Sequence, residues 1–420
     1  MSGPRSLPRP PRRRRSARQR IRRRRLVAGG ALLGVVLLGL GMSRLTAAPP
    51  RPTVRLDLPA PAAGAAVAAL PWPATGQAAV AVPSTGFFLT SGPERPVPVA
   101  SLTKIMTALV VLHDHPLQPG QAGPLVTITP TDVADAARLE AQNATVLPIQ
   151  VGERLSERQL LAGLLVRSAN DFADALARWD AGSLVAFVAR MNRTARTLGL
   201  RQTTYADPSG VSDRSRSTAA DQLRLAEIAM ANPVFAQLVS QPSVVEPLAG
   251  QVANYISAVG HDGVVGVKSG FTQAAMGCLV LAARRPVEGR SVLVLAAVTG
   301  QGGFNPLGLA QQVDLRLVDR LARSLRVVTL VRRGTVLGTV RAPWLGTLSA
   351  SVLADRSLTL LVGPDQSPRW SSALQPLRVP SRPGSLVGQV TVQLGEQRVE
   401  TPLVTARALP PPGLWWLLAH

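Results

Sequence analysis

Apolar residues run without a charge from Leu26 to Ser43 (LVAGGALLGVVLLGLGMS), bounded by Arg25 and Arg44. At 1.5 Å per residue, this stretch is just long enough to span a bilayer as a helix. Pro and Ala dominate residues 44–75, which read as a semi-extended linker that lifts a domain off the membrane. Apolar β-formers around Pro83-Ser84-Thr85-Gly86 predict strand–turn–strand over 76–90. Helical spacing of Ile105, Met106, Leu109 and Leu112 predicts a helix starting near Ser101. A long helical stretch is predicted over 156–180. Another is predicted over 183–198, with Ser183 as N-cap and Gly199 just past its end. Thr218 with Asp221 three residues on reads as an approximate capping box. The pattern then switches to strands over 263–299 (GVVGVKSG, MGCLVLAAR, RSVLVLAAVT), and a helix over 308–325 closes this part.

Helical periodicity ends at 326. Short Val/Leu/Thr runs alternate with Gly, Pro and Asp turns, so 326–408 reads as a small all-β domain. Residues 409–420 form a tail with Trp415 and Trp416, placed either at a membrane interface or as a cap on the β-domain.

Composition sharpens this division. The chain has 420 residues, a net charge of +22, 46% hydrophobic residues and one cysteine. Wholesale disorder is excluded, as are intrachain disulfides and cysteine-based metal clusters. Four scattered histidines leave no convincing metal site, and no cofactor is expected. Residues 1–25 hold twelve arginines and no acid, leaving +10 for the rest. An arginine run before an apolar span is the signature of a cytoplasmic leader, with the remainder of the chain outside. The favoured reading of 26–43 is an uncleaved anchor. The alternative is a signal peptide cut near Thr46-Ala47-Ala48. Contact of the leader with the membrane fits better than nucleic-acid binding, which is not expected.

Among 44 arginines stand only two lysines, Lys104 and Lys268. An ammonium can lose its proton when desolvated and a guanidinium cannot, so these two positions are candidates for chemistry. Both lie in short motifs: Ser101-Leu102-Thr103-Lys104, then Ser168-Ala169-Asn170, then Lys268-Ser269-Gly270. They fit S-x-x-K, S-x-N and K-[ST]-G in order, on a helix, an interhelix loop and a strand.

These motifs, with the blocks VPVASLTKIMTALV, LLAGLLVRSANDFADALA, TTYADPSGVSDRSRSTAADQLRLA and VGVKSGFTQAAMGCLVLAARR, resemble the low-molecular-mass D-alanyl-D-alanine carboxypeptidases, which are serine-type penicillin-binding proteins. The resemblance covers 76–325, about 60% of the chain, and more loosely 326–408. It implies an α/β fold of penicillin-binding/β-lactamase type, an antiparallel sheet flanked by helices, followed by the small β domain. It also implies peptidoglycan stem peptides as substrate and β-lactam antibiotics as covalent inhibitors.

Ser101 and Lys104 are i and i+3 and project from one helix face. A serine needs a base, no histidine stands in the motifs, and a lysine must be neutral to serve. Burial and the nearby charge of Lys268 would bring that about. On the family pattern, Ser168 relays a proton to the leaving amine and Asn170 holds Lys104 and the substrate amide. The N–H groups of Ser101 and Phe271 form the oxyanion hole, with Gly270 before Phe271. Lys268 and the Ser269 hydroxyl receive the substrate carboxylate. Ser269 stands where most relatives carry threonine. Cys278, in an apolar strand, reads as a buried small hydrophobe.

The main rival is a D,D-endopeptidase using the same residues. A class A β-lactamase would need a glutamate downstream of the second motif, and none occurs between Glu157 and Glu227. A non-enzymatic wall-binding protein is disfavoured because every catalytic side chain is present.

Overall fold

The computed structural model describes residues 17–46, 48–60 and 69–420. The leader before residue 17 and part of the linker lie outside the described residues.

A helix runs over Ala17–Thr46. Its segment Arg20–Thr46 contains a window of mean hydropathy 2.1 that no part of the protein covers. Leu32, Val35 and Leu38 point outward. Its length and hydropathy suit a membrane anchor or a signal segment.

Five antiparallel strands form the central sheet, in the order Val264–Thr272, Met276–Val287, Arg290–Gln301, Gln77–Val82 and Phe87–Thr90. Successive side chains point to opposite faces, and each face is covered. Val280, Ala282, Leu295 and Ala297 enter one core, beneath helices Thr103–Asp114, Asn170–Ala181 and Ala219–Met230. Leu279, Leu281, Val294 and Ala296 enter the other, beneath helix Pro306–Ser324 through Leu317, Val318 and Leu321. Two-sided burial explains why LVLAA and VLVLAAV read as unbroken apolar runs. Each fully buried Leu or Val contributes ~1.5–3 kcal/mol. Cys278 lies in this sheet, buried, with its Sγ 3.4 Å from the Ala275 carbonyl. Burial pushes its thiol up to about 12, which fits the small-hydrophobe reading.

The capped helices begin at their polar residues. Ser183 Oγ accepts from the Ala186 N–H ahead of helix Leu184–Thr197, and Thr218 Oγ1 accepts from Asp221 N–H. The stretch 156–180 is not one helix. It divides into Glu157–Ala162, a wider turn Gly163–Arg167, and Asn170–Ala181, with Ser168 left-handed at φ 67°. Gly163 permits the break, since a Cβ there would lie 2.5 Å from the Phe172 ring. The apolar pattern continues through the break and conceals it. Helix Pro130–Ala141 has no counterpart in the sequence reading, although Thr129 and Asp132 form a full capping box.

The linker reading needs correction as well. Residues Thr53–Leu56 form the edge strand of a six-stranded sheet, pairing Thr53 with Arg341 and Leu56 with Gly338. Gly338 is required at this approach, because a Cβ would fall 2.2 Å from the Arg55 carbonyl oxygen. Four residues between prolines carry too little alternation to announce a strand. The rest of that sheet comes from strands within Val336–Thr405, and Arg326–Val331 pairs separately with Leu358–Val362. Gln366 ties the β region to the preceding α/β region, its Nε2 donating to the Thr85 carbonyl at 2.8 Å.

A short helix, Leu414–Ala419, ends the chain against the membrane-type helix. Arg44 donates to the Leu418 carbonyl at 2.9 Å. Trp416 meets Trp344 edge-on at 6.0 Å between ring centres, while Trp415 is 83% exposed. Trp416 thus packs on the β region, as one of the two readings of the tail has it, and Trp415 is exposed.

Candidate active site

Ser101 sits in a single 3₁₀ turn, Ala100–Leu102, that opens helix Thr103–Asp114. The turn is tight: Ala100 has φ 47°, which costs free energy for a residue with a Cβ. Two glycines lie closely against it. A Cβ on Gly270 would lie 2.8 Å from Ser101 N, and one on Gly210 would lie 1.9 Å from the Ala100 carbonyl oxygen. The third-motif strand thereby lies directly against the serine backbone.

Lys104 is fully buried. Its Nζ lies 3.0 Å from Ser101 Oγ, 2.6 Å from Asn170 Oδ1 and 2.7 Å from the Ser209 carbonyl oxygen. Two of these partners can only accept, whereas the hydroxyl can donate. A neutral amine has two N–H bonds for the two carbonyl oxygens, which leaves its lone pair for the Ser101 proton. Burial lowers the Lys104 pKa to about 7, against opposition from Asp207, Asp174 and Asp171.

Each partner of Lys104 is itself fixed. Asn170 receives its orientation from Thr145, whose carbonyl accepts from both the side-chain and the backbone N–H at 2.8 and 2.9 Å. The Ser209 carbonyl is presented by a turn wrapped around Asp207. That carboxylate accepts from the N–H groups of Ser209, Gly210 and Ser212. Thr107 Oγ1 donates to the Pro208 carbonyl at 2.5 Å and pins the turn to the serine helix.

A cavity of about 620 Å³ opens over this cluster. Ser101, Ser168, Asn170, Ser269, Gly270 and Phe271 line it, facing Thr145 and Tyr255. Phe271 is 47% exposed. The structure thus brings seven of the eight residues singled out from sequence to the cavity or directly beneath it, and it buries the eighth. Lys268 is 1% exposed, does not line the cavity, and donates to the Ser269 carbonyl at 3.0 Å. Its pKa is lowered well below the ordinary lysine value, first by burial and then by repulsion from Lys104. The depression of Lys104 is due to burial, one of the two causes expected for it; Lys268, the other, itself feels repulsion from Lys104. Among the described residues, no hydrogen bond joins the Ser168 hydroxyl to either lysine.

Ser209, Asp207, Gly210 and Thr145 were missed by sequence reasoning. ADPSG lies within one of the family-like blocks, but a backbone carbonyl has no residue signature. Gly210 was the available signal, as a glycine within a polar turn.

The profile of the D-alanyl-D-alanine carboxypeptidase family matches residues 70–299, more than half of the chain. The chain is 34% identical to a D-alanyl-D-alanine carboxypeptidase of Mycobacterium tuberculosis over 213 residues, 49% of this chain and 69% of the relative. It is 32% identical to a D-alanyl-D-alanine endopeptidase of Pseudomonas aeruginosa over 283 residues, 65% of this chain and 84% of the relative. Penicillin binding protein 5 from Haemophilus influenzae shares the fold, with a TM-score of 0.57 at 19% identity, covering 82% of this chain and all of that one. A mutant Streptomyces DD-transpeptidase superposes with a TM-score of 0.52 at 26% identity, over 60% of this chain and 98% of that one. Taken with a serine, a buried lysine and an asparagine under one cavity, these matches establish that the chain belongs to the D-alanyl-D-alanine carboxypeptidase family of serine peptidases.

Proposed function

We propose that the protein removes the terminal D-alanine from peptidoglycan stem peptides through an acyl-enzyme on Ser101. The observation that carries this reading is the 3.0 Å contact between Ser101 Oγ and an amine whose other two partners are obligate acceptors. Lys104 takes the hydroxyl proton as Oγ bonds to the penultimate D-alanine carbonyl carbon. The N–H groups of Ser101 and Phe271 face the oxygen that becomes negative. The C–N bond then breaks. The leaving amine takes its proton by way of Ser168, and D-alanine departs. Water, deprotonated at Lys104, hydrolyses the ester. A β-lactam acylates the same oxygen, but its leaving group stays tethered and obstructs that water.

Ser269 offers its hydroxyl to the substrate carboxylate, and Lys268, buried against the Ser269 carbonyl, supplies positive charge nearby. An anion arriving near it favours the protonated form of this buried lysine. The match to an endopeptidase over 84% of its length supports a second reading, in which the same residues cut crosslinks. Capping separates the two. Masking the terminal carboxylate as an amide should lower carboxypeptidase kcat/KM at least ~10-fold, from the loss of one charge-assisted contact. Mass spectrometry of free and capped pentapeptides and of a crosslinked dimer measures this. Equal turnover of free and capped peptide would transfer the assignment to an endopeptidase.

The substrate lies outside the cytoplasmic membrane, so the topology should be N-terminus inside and C-terminus outside. A reporter active only outside the membrane should work after residue 420 and fail at residue 20. The reverse pattern would contradict the peptidoglycan substrate.

A further inference from the structure

A second cavity, of about 720 Å³, lies behind the turn that supports Lys104. The turn is a wall common to both spaces: Val211 lines each, and Ser209 lines the second cavity while its carbonyl holds the catalytic lysine. One side of the groove is apolar, built from Leu184, Val185 and Val188 of helix Leu184–Thr197. Val185 is 81% exposed at its rim. Arg138 and Arg214 also line the groove.

Two carboxylates also line the groove: Asp207, whose oxygens are occupied by the N–H groups of its own turn, and Asp174. Asp174 is 5% exposed, and among the described residues no hydrogen bond or ion pair reaches its carboxylate. Arg178, one helical turn along, is engaged by Asp132 at 2.7 Å and Asp135 at 2.8 Å. Burial raises the Asp174 pKa to about 6, against the lowering effect of Arg178, and an ammonium placed beside it would favour the ionised form. The Asp174 oxygens face the groove, and a carboxylate with no protein donor can accept several hydrogen bonds at once from a bound group. An ammonium supplies three donors and the compensating charge. Arg138 is engaged by Asp135 at 3.1 Å, so Arg214 is the arginine that asks for an anionic group, and the Leu184–Val188 wall asks for an apolar stem. A single chemical class meets all three demands.

We propose that this groove binds an α-amino-acid centre, with its ammonium on Asp174, its carboxylate toward Arg214 and its side chain along Leu184, Val185 and Val188. Occupancy would be felt at the catalytic site. The Asp174 charge favours a proton on Lys104, and a bound ammonium cancels part of that charge. Two sources carry this chemistry: the free amino acid released by hydrolysis, and the unacylated centre of a diamino acid within a stem peptide. The groove's chemistry stands without the peptidase reading, and only the naming of the sources rests on it.

Calorimetric titration of the detergent-solubilised full chain tests the site. D-Alanine represents the free product and Nε-acetyl-D-lysine the long-stemmed centre, and α-N-acetylated forms of both serve as controls. Saturable binding is expected from the free amines only. Tighter binding of the acetyl-lysine assigns the site to the stem peptide, and equal binding assigns it to the free amino acid. Asp174→Asn should weaken binding at least ~10-fold, as expected for losing a charged hydrogen-bond partner. Val185→Arg, at an exposed position that tolerates substitution, should also weaken binding by crowding the groove with a like charge for the ammonium. This second variant decides the matter should Asp174→Asn fail to fold. Absence of saturable binding, controls that bind as well as the amines, or binding unchanged in Val185→Arg would overturn the proposal. Loss of catalysis alone would bear on Ser101 and not on this groove.

Discussion

Replacing Ser101 with alanine should abolish covalent labelling by a fluorescent penicillin while leaving thermal unfolding nearly unchanged. Three serines line the cavity, at 101, 168 and 269, so the identity of the nucleophile is a real choice. Only Ser101 has its hydroxyl within hydrogen-bond distance of an amine able to take the proton. It also stands at the opening of helix Thr103–Asp114, where free N–H groups favour developing negative charge. The alanine variant removes one oxygen. Lys104 keeps Asn170 Oδ1 and the Ser209 carbonyl, and the Gly210 and Gly270 contacts with the turn are backbone contacts that survive. A folded, unlabelled protein is therefore expected, with gel fluorescence and melting measured on the same preparation. Labelling that persists in a folded Ser101→Ala variant would place the acyl group on another hydroxyl and remove Ser101 from its role.

The site was legible in the sequence to the extent that side chains carry it. The scarcity of lysine drew attention to positions 104 and 268, and the order of three short motifs connected them to Ser168 and Asn170. Parts made by the backbone left no such trace. The Ser209 carbonyl is one acceptor for Lys104, and what presents it is an aspartate-centred turn that could have stood anywhere on the surface. Burial of Lys268 was equally hidden. VVGVKSG reads as a strand with one charged residue, and only the packing of both sheet faces shows that this lysine is buried. In the fold, the central strands were readable because two-sided burial writes long apolar runs. The break at Gly163–Arg167 was not, because the apolar spacing on either side of it stays in phase. Thr53–Leu56 was missed for the opposite reason: an edge strand of four residues owes its place to its partner Val336–Arg341 more than to its own pattern.

Lys104→Arg tests the base separately from the charge. Arginine keeps a cation and hydrogen-bond donors near Asn170 and Ser209, but it does not deprotonate in proteins. If Lys104 removes the Ser101 proton, the acylation rate should fall at least ~10²-fold, the scale of losing a general base. The wild-type rate should also depend on pH with a definite sign. A lysine whose pKa is lowered to about 7 is mostly protonated below that value and mostly neutral above it. Acylation should therefore rise through about pH 7 and level off above it. In Lys104→Arg that rise should vanish, because no group at this position titrates in the range. The guanidinium is wider than an ammonium, and the site is fully buried, so steric damage must be separated from lost basicity. Lys104→Met has similar reach with neither charge nor lone pair. If both variants fold and both lose the pH-dependent limb, the lone pair is what Ser101 requires. A near-wild-type rate in Lys104→Arg would show instead that positive charge beside Ser101 suffices, and proton transfer would then have to pass through Ser168 or water.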